Sequence, residues 1–238
     1  MKLFHILHMY PNEMNIYGDR GNLITLRRRA SLHGFEPIVH YHEPGDKLPK
    51  DVHIVLGGGG QDSAQSDIQT DILRIGDELT AMAEAGVAMI MICGMYQLLC
   101  HRFVTQTGEE IKGIGLFDAE TIAGSKRMVG NVAVDTPDLG RLYGFENHSG
   151  RTNLAQGQEP LGTVVRGGGN NDGDGTEGAR LHNVFGTYLH GPVLPNNPTF
   201  ADELIRRAAT TVYGAFEPQA IDDTLAELAR AGATSRRY

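Results

Sequence analysis

The chain has 238 residues, of which 40% are hydrophobic and 21% charged, and a formal net charge of −8. That composition belongs to an ordinary globular protein able to bury a full-sized core, and its acidic balance argues against nucleic acid as a partner. Two cysteines are too few for a disulfide framework, no apolar stretch reaches the length of a membrane span, and Met1-Lys2-Leu3-Phe4 lacks a signal-peptide core, so a cytoplasmic protein is expected.

Residues 3–8 read as a first strand and 22–33 as a helix, with Leu23, Leu26 and Ala30 on one face and Gly34 as its stop. Residues 37–41 and 52–56 read as two more strands, the second running into Gly57-Gly58-Gly59-Gly60. Ser66 and Gln69 have capping-box spacing. Ile68, Ile72, Ile75, Leu79 and Met82 recur at helical intervals, predicting one helix that stops at Gly86. Residues 87–91 are an unbroken apolar run, too short for a typical helix and suited to a buried parallel strand. Strands alternating with helices predict an α/β fold: a mostly parallel central sheet, helices on both faces, and functional residues beyond the strands' carboxyl ends.

After residue 110 the chain turns Gly-rich, and residues 129–134, 142–146 and 161–166 read as short strands, expected to extend the same sheet in antiparallel fashion. No linker separates this half, so residues 1–238 are read as a single domain. The run from Asn170 to Gly175 imitates the start of an EF-hand loop, but Leu181 stands where the terminal Glu is needed, and a flexible hairpin or disordered tip is expected instead. Residues 184–189 predict a strand, and 198–212 a helix with Asn197 as N-cap and Pro198 at its first position. Residues 221–229 predict a last helix with Ile221, Leu225 and Leu228 on one side.

Two strand ends carry chemistry. Ile92-Cys93-Gly94-Met95-Tyr96-Gln97 places a cysteine between a strand and the opening of a helix, the layout of a nucleophile elbow. The turn lifts one side chain above the sheet, and the helix N-terminus supplies free N–H groups and a positive dipole end that activate a nucleophile. The bland alternative is a small buried hydrophobe, the reading given to Cys100, which has no turn beside it. His190 stands at the carboxyl end of the 184–189 strand, before Gly191-Pro192. A histidine in such a place is often a capping or surface residue, but two strand ends on one sheet edge can join thiol and imidazole into a nucleophile and its base. The glycines at 57–60 lack the Gly-Lys-Ser/Thr of a phosphate loop, and the cysteine spacing does not suit zinc.

These residues resemble the class I glutamine amidotransferases, in the branch that includes the glutaminase domains of cobyric acid synthases, and more closely the glutaminase subunits of lipid II isoglutaminyl synthase. The similar segments run nearly end to end: residues 14–22, Gly58-Gly59-Gly60-Gln61-Asp62, the Cys93 elbow, residues 144–152, and Gly186-Thr187-Tyr188-Leu189-His190-Gly191-Pro192. The resemblance implies that Cys93 attacks the side-chain amide of L-glutamine, forming a thioester and releasing ammonia, with His190 as general base and acid. It implies an oxyanion hole from the N–H groups of Gly94 and Gly59, a glutamine pocket lined by Gln97, and a substrate contact from Arg127. Two departures stand out: Pro192 occupies the place where many class I enzymes carry an orienting Glu, and Cys100 stands where a small residue is expected. Asp19 and Glu146 both stay open as the orienting group, as does a simple dyad.

No cofactor or metal is expected on this chain. It has no ATP-binding motif, so the resemblance implies a Mur ligase-like partner of the MurT type, carrying ATP and Mg and forming a heterodimer. That partner would activate the α-carboxyl of D-glutamate in the lipid II stem peptide. Service to another synthetase (such as one for corrin side-chain amidation), action as a synthetase-free cysteine hydrolase, and a non-catalytic binding role are the alternatives.

Overall fold

A computed structural model describes residues 2–234. The first half runs β1 (Lys2–Met9), α1 (Arg20–Leu32), β2 (Phe35–His42), β3 (Ile54–Gly57), α2 (Asp62–Arg74), α3 (Gly76–Glu84), β4 (Ala88–Ile92) and α4 (Gly94–Leu99). Then follow β5 (Arg102–Val104), β6 (Glu110–Lys112), β7 (Ala119–Thr136), β8 (Gly140–Leu154), β9 (Gly162–Arg166) and β10 (Thr176–Glu177). The chain ends with β11 (Ala179–Leu181), β12 (Val184–Thr187), α5 (Val193–Asn196), α6 (Pro198–Tyr213) and α7 (Thr224–Thr234).

The central sheet has the order β11-β12-β4-β3-β1-β2. Its strands are parallel except β11, which pairs antiparallel with β12. Every residue of β3 and β4 is buried, as expected of strands covered on both faces. Fully burying side chains such as Ile90 or Ile92 stabilises the fold by roughly 1.5–3 kcal/mol each. This geometry brings the carboxyl ends of β4 and β12 side by side, with Thr187 opposite Ile92.

The antiparallel half is a second sheet, ordered β10-β9-β7-β5-β6 with β8 paired to β7. It does not continue the first, because β12 takes the place beside β4 and β11 covers that edge. The predicted strands 129–134 and 142–146 are parts of one long hairpin of 18 and 15 residues, with an irregularity between Ala123 and Met128, whereas 161–166 is the separate short strand β9. Phe145 and His190 form an isolated bridge between the two halves, exchanging N–H···O bonds of 3.0 and 2.9 Å.

Other expectations need correction. The periodic segment from Ile68 to Met82 is two helices, broken at Ile75, where ψ is 4°. Gly76 follows because a Cβ there would lie 2.9 Å from Ile114 Cγ2. The spacing of Ser66 and Gln69 is not a capping box, since α2 already starts at Asp62; the two side chains bind Glu109 and the Lys112 N–H. Asn197 holds the N-cap position of α6, but its side chain binds Tyr143 and Val193 instead. The 170–175 run is a structured loop in which Asn170 is fully buried.

Candidate active site

Cys93 sits at the strand-to-helix turn with φ 49° and ψ −104°, a conformation that costs a residue with a side chain roughly 1–3 kcal/mol. Two bonds hold it there. Its N–H donates to Thr187 O at 2.8 Å, and its carbonyl accepts the Gln97 N–H at 2.9 Å. Cys100 ends α4 as a fully buried packing residue, its thiol donating to Tyr96 O at 3.4 Å. Burial pushes that thiol well above its ordinary range, so it stays inert.

His190 is 1% exposed, and the Tyr17 ring meets it edge-on, with centroids 5.0 Å apart. Burial by itself would depress the imidazole's pKa, but the Cys93 sulfur and the Asp19 carboxylate outweigh it and raise the value. Of the two carboxylates left open above, Asp19 is the one beside the ring. Its Oδ2 lies 3.4 Å from His190 Nδ1, whereas Glu146 spends both carboxylate oxygens on the N–H groups of Gly168 and Gly169. Asp19 occupies the N-cap of α1 without capping it; Asn15 Oδ1 accepts the Arg20 N–H in its place. That freed carboxylate turns into the site.

One assignment is overturned. The Gly59 N–H donates to Asp19 Oδ2 at 2.7 Å, so it does not point at an oxyanion. Gly60 differs from it: its N lies 2.9 Å from where a Cβ on Gly94 would stand, its N–H makes no hydrogen bond among the described residues, and it lines the same cavity as Cys93. Glycine at 59 has a separate cause. A Cβ there would lie 2.7 Å from both His190 Cε1 and Ile16 Cγ2.

The cavity holds about 440 Å³ and is lined by Cys93, Gly60, Gln97, Arg127, Asn147 and His148 among others. Arg127 is exposed at its rim, with its guanidinium donating to Asn147 Oδ1 and Asn147 O. Gln97 accepts from Gln65 Nε2 at 2.9 Å and donates to the Tyr188 hydroxyl at 3.1 Å. His148 stacks flat on Tyr188 with centroids 3.6 Å apart. Burial lowers its pKa to about 3, so its ring is neutral and Nδ1–H donates to Gly150 O. Sequence reasoning therefore placed Cys93, Gln97 and Arg127 around one cavity and His190 beside it. It missed Gly60, Gln65, Tyr17 and His148; Tyr17, with its positive φ of 56°, lay inside a segment already singled out.

A parallel α/β sheet with a cysteine elbow and a histidine on the neighbouring strand end is the architecture of a class I glutamine amidotransferase. The chain belongs to the CobB/CobQ-like glutamine amidotransferase family, whose domain profile matches residues 5–198. It is 36% identical over 219 residues to a Staphylococcus aureus (strain N315) protein named lipid II isoglutaminyl synthase (glutamine-hydrolyzing) subunit GatD, covering 92% of this chain and 89% of that one. Identity to the Streptococcus pneumoniae (strain ATCC BAA-255 / R6) protein of the same name is 37% over 215 residues, covering 88% and 82%. A crystallised glutamine amidotransferase shares the fold, with a TM-score of 0.60 at 15% identity over 86% of this chain and 98% of that one.

Proposed function

We propose that this chain is the glutaminase subunit of a two-protein lipid II isoglutaminyl synthase. The observation that carries the reading is the strained Cys93 elbow bound to Thr187, three residues before His190, in a chain similar along most of its length to proteins of that name. His190 holds the thiol proton as an imidazolium, and the Cys93 thiolate adds to the glutamine amide carbon. The oxyanion is met by the N–H groups of Gly94, at the first position of α4, and Gly60. His190 then protonates the departing nitrogen, ammonia leaves, and water hydrolyses the thioester to glutamate. Asp19 supports the imidazolium. The Arg127 guanidinium suits the substrate's α-carboxylate, and Gln97 lines the side-chain pocket.

Ammonia is mostly protonated near neutral pH and then unreactive, which favours delivery across an interface to a synthetase. That partner is a Mur ligase-like protein of the MurT type, carrying ATP and Mg and activating the D-glutamate α-carboxyl of the stem peptide. No helix among the described residues is long and apolar enough to cross a membrane, which fits a cytoplasmic complex. The test is ammonia release from L-glutamine by wild type and Cys93→Ala, with and without the partner. Release that falls by on the order of 10⁴-fold in the variant and rises with the partner supports the proposal. No release from wild type under either condition overturns it.

A further inference from the structure

The glycine-rich segment 167–178 carries near its end Glu177, a fully buried carboxyl that the hydrolytic steps do not use. Its Oε1 accepts the Tyr188 N–H at 2.7 Å and the Thr187 hydroxyl at 3.0 Å. The same hydroxyl oxygen accepts the Leu189 N–H at 3.0 Å. Glu177 thus grips the three residues that lead into His190. Thr187 is also the residue whose carbonyl holds the Cys93 N–H. One side chain therefore fixes the backbone under both members of the catalytic pair.

The carboxyl is itself braced. Asn170, also fully buried, binds Gly178 through both ends of its amide, at 2.9 Å to the carbonyl and 2.9 Å from the N–H. The Asn170 carbonyl accepts the Thr152 N–H at 2.8 Å, and the Tyr96 hydroxyl donates to its side chain at 3.2 Å. Gly169 and Gly178 take φ of 62° and 64°, and a Cβ at either would meet a backbone oxygen at 2.4 or 2.3 Å. Those contacts explain the glycine-rich composition: the loop must press backbone against backbone to deliver Glu177.

We propose that Glu177 is a positioning residue for the Cys93–His190 pair, held by the Asn170-centred brace and acting through the 187–189 backbone. The proposal rests on the glutaminase reading for its kinetic test alone. An aliphatic residue would leave the Tyr188 N–H and the Thr187 hydroxyl without their acceptor. A carboxylate adds charge: burial raises the Glu177 pKa to about 7, so the group ionises around neutrality, where it favours the imidazolium of His190. The titratable groups facing Glu177 are Glu146, His190 and Tyr96, and those facing His190 are Cys93, Asp19, Tyr17 and His148.

The experiment compares wild type with Glu177→Ala and Glu177→Gln, reading kcat and KM for L-glutamine across pH. It also follows the titration of the His190 imidazole by NMR in a Cys93→Ala background. Glu177→Ala is expected to lower kcat roughly 10- to 100-fold with KM little changed. Glu177→Gln keeps the acceptor and should restore kcat to within about threefold near pH 7. It should also move the His190 titration, and the alkaline limb of the rate profile, to lower pH by about half a unit. If Glu177→Ala does not fold, Thr187→Val takes its place by removing the hydroxyl that Glu177 and Leu189 share: unchanged kcat together with an unmoved His190 titration in a folded Glu177→Ala or Thr187→Val overturns the proposal. Wild type that releases no ammonia would sink the glutaminase reading, and the NMR titration would still judge Glu177.

Discussion

In the central sheet, β3 and β4 are built of apolar residues and glycine and are buried at every position; in the second sheet, β7 and β8 bury Thr121, Thr152, Glu146 and His148 among their apolar neighbours. The first arrangement keeps chemistry at strand ends, where Cys93 and the 57–60 loop stand. The second carries polar groups mid-strand, where each must find a partner inside the protein. Strand ends can thus be altered with large catalytic and small structural effects, whereas mid-strand polar residues tie stability to the shape of the pocket.

The sharpest break of that contrast is Gly59→Ala. Its methyl would sit 2.7 Å from His190 Cε1, and kcat should fall about 10²- to 10³-fold while the thermal midpoint moves little. Steady-state kinetics beside calorimetry check both halves. Next comes Asp19→Asn, expected to cost about 10- to 100-fold in kcat. The Cys93 sulfur and the Asp19 carboxylate raise the His190 pKa, so neutralising position 19 should let the ring lose its proton at lower pH. The alkaline limb of the rate profile then moves down in pH.

Asp71 marks the polar exception beside the central sheet. Burial would raise its pKa, but the Gly45 N–H, Arg74, His42 and Tyr10 outweigh that and hold it at about 2. A depressed carboxyl stabilises the fold above its unfolded value and loses that contribution as pH falls. Asp71→Asn should therefore cost about 2 kcal/mol at neutral pH, with the difference vanishing between about pH 4 and pH 2 in denaturant titrations. An effect of similar size belongs to the second sheet. Thr152→Val breaks the hydroxyl pairs with Thr121 at 2.7 Å and Tyr188 at 2.6 Å, at a cost of about 1–3 kcal/mol. Because Tyr188 holds Gln97, KM for glutamine should rise with it.

The same contrast explains what could be read in advance. The apolar run before Cys93 and the turn after it are local signals, and β1 to β4 followed from them. The second sheet was harder. Gly124, Gly130 and Gly144 interrupt β7 and β8, so one long hairpin looked like separate short strands. Gly59 and Gly60 are indistinguishable as letters; which N–H faces the cavity depends on Asp19, forty residues upstream of Gly59. Asn170 read as part of a flexible tip and Glu177 drew no reading at all, because their partners, Tyr96, Thr187 and Tyr188, lie far along the chain in one direction or just beyond a turn in the other.

The bridge between Phe145 and His190 has a mechanical consequence. The residue that would shuttle protons is also a stitch between the two halves, so prying them apart by pressure, denaturant or a pulling force must misplace the imidazole first. Turnover would then serve as a strain gauge for the seam, failing while the central sheet still stands.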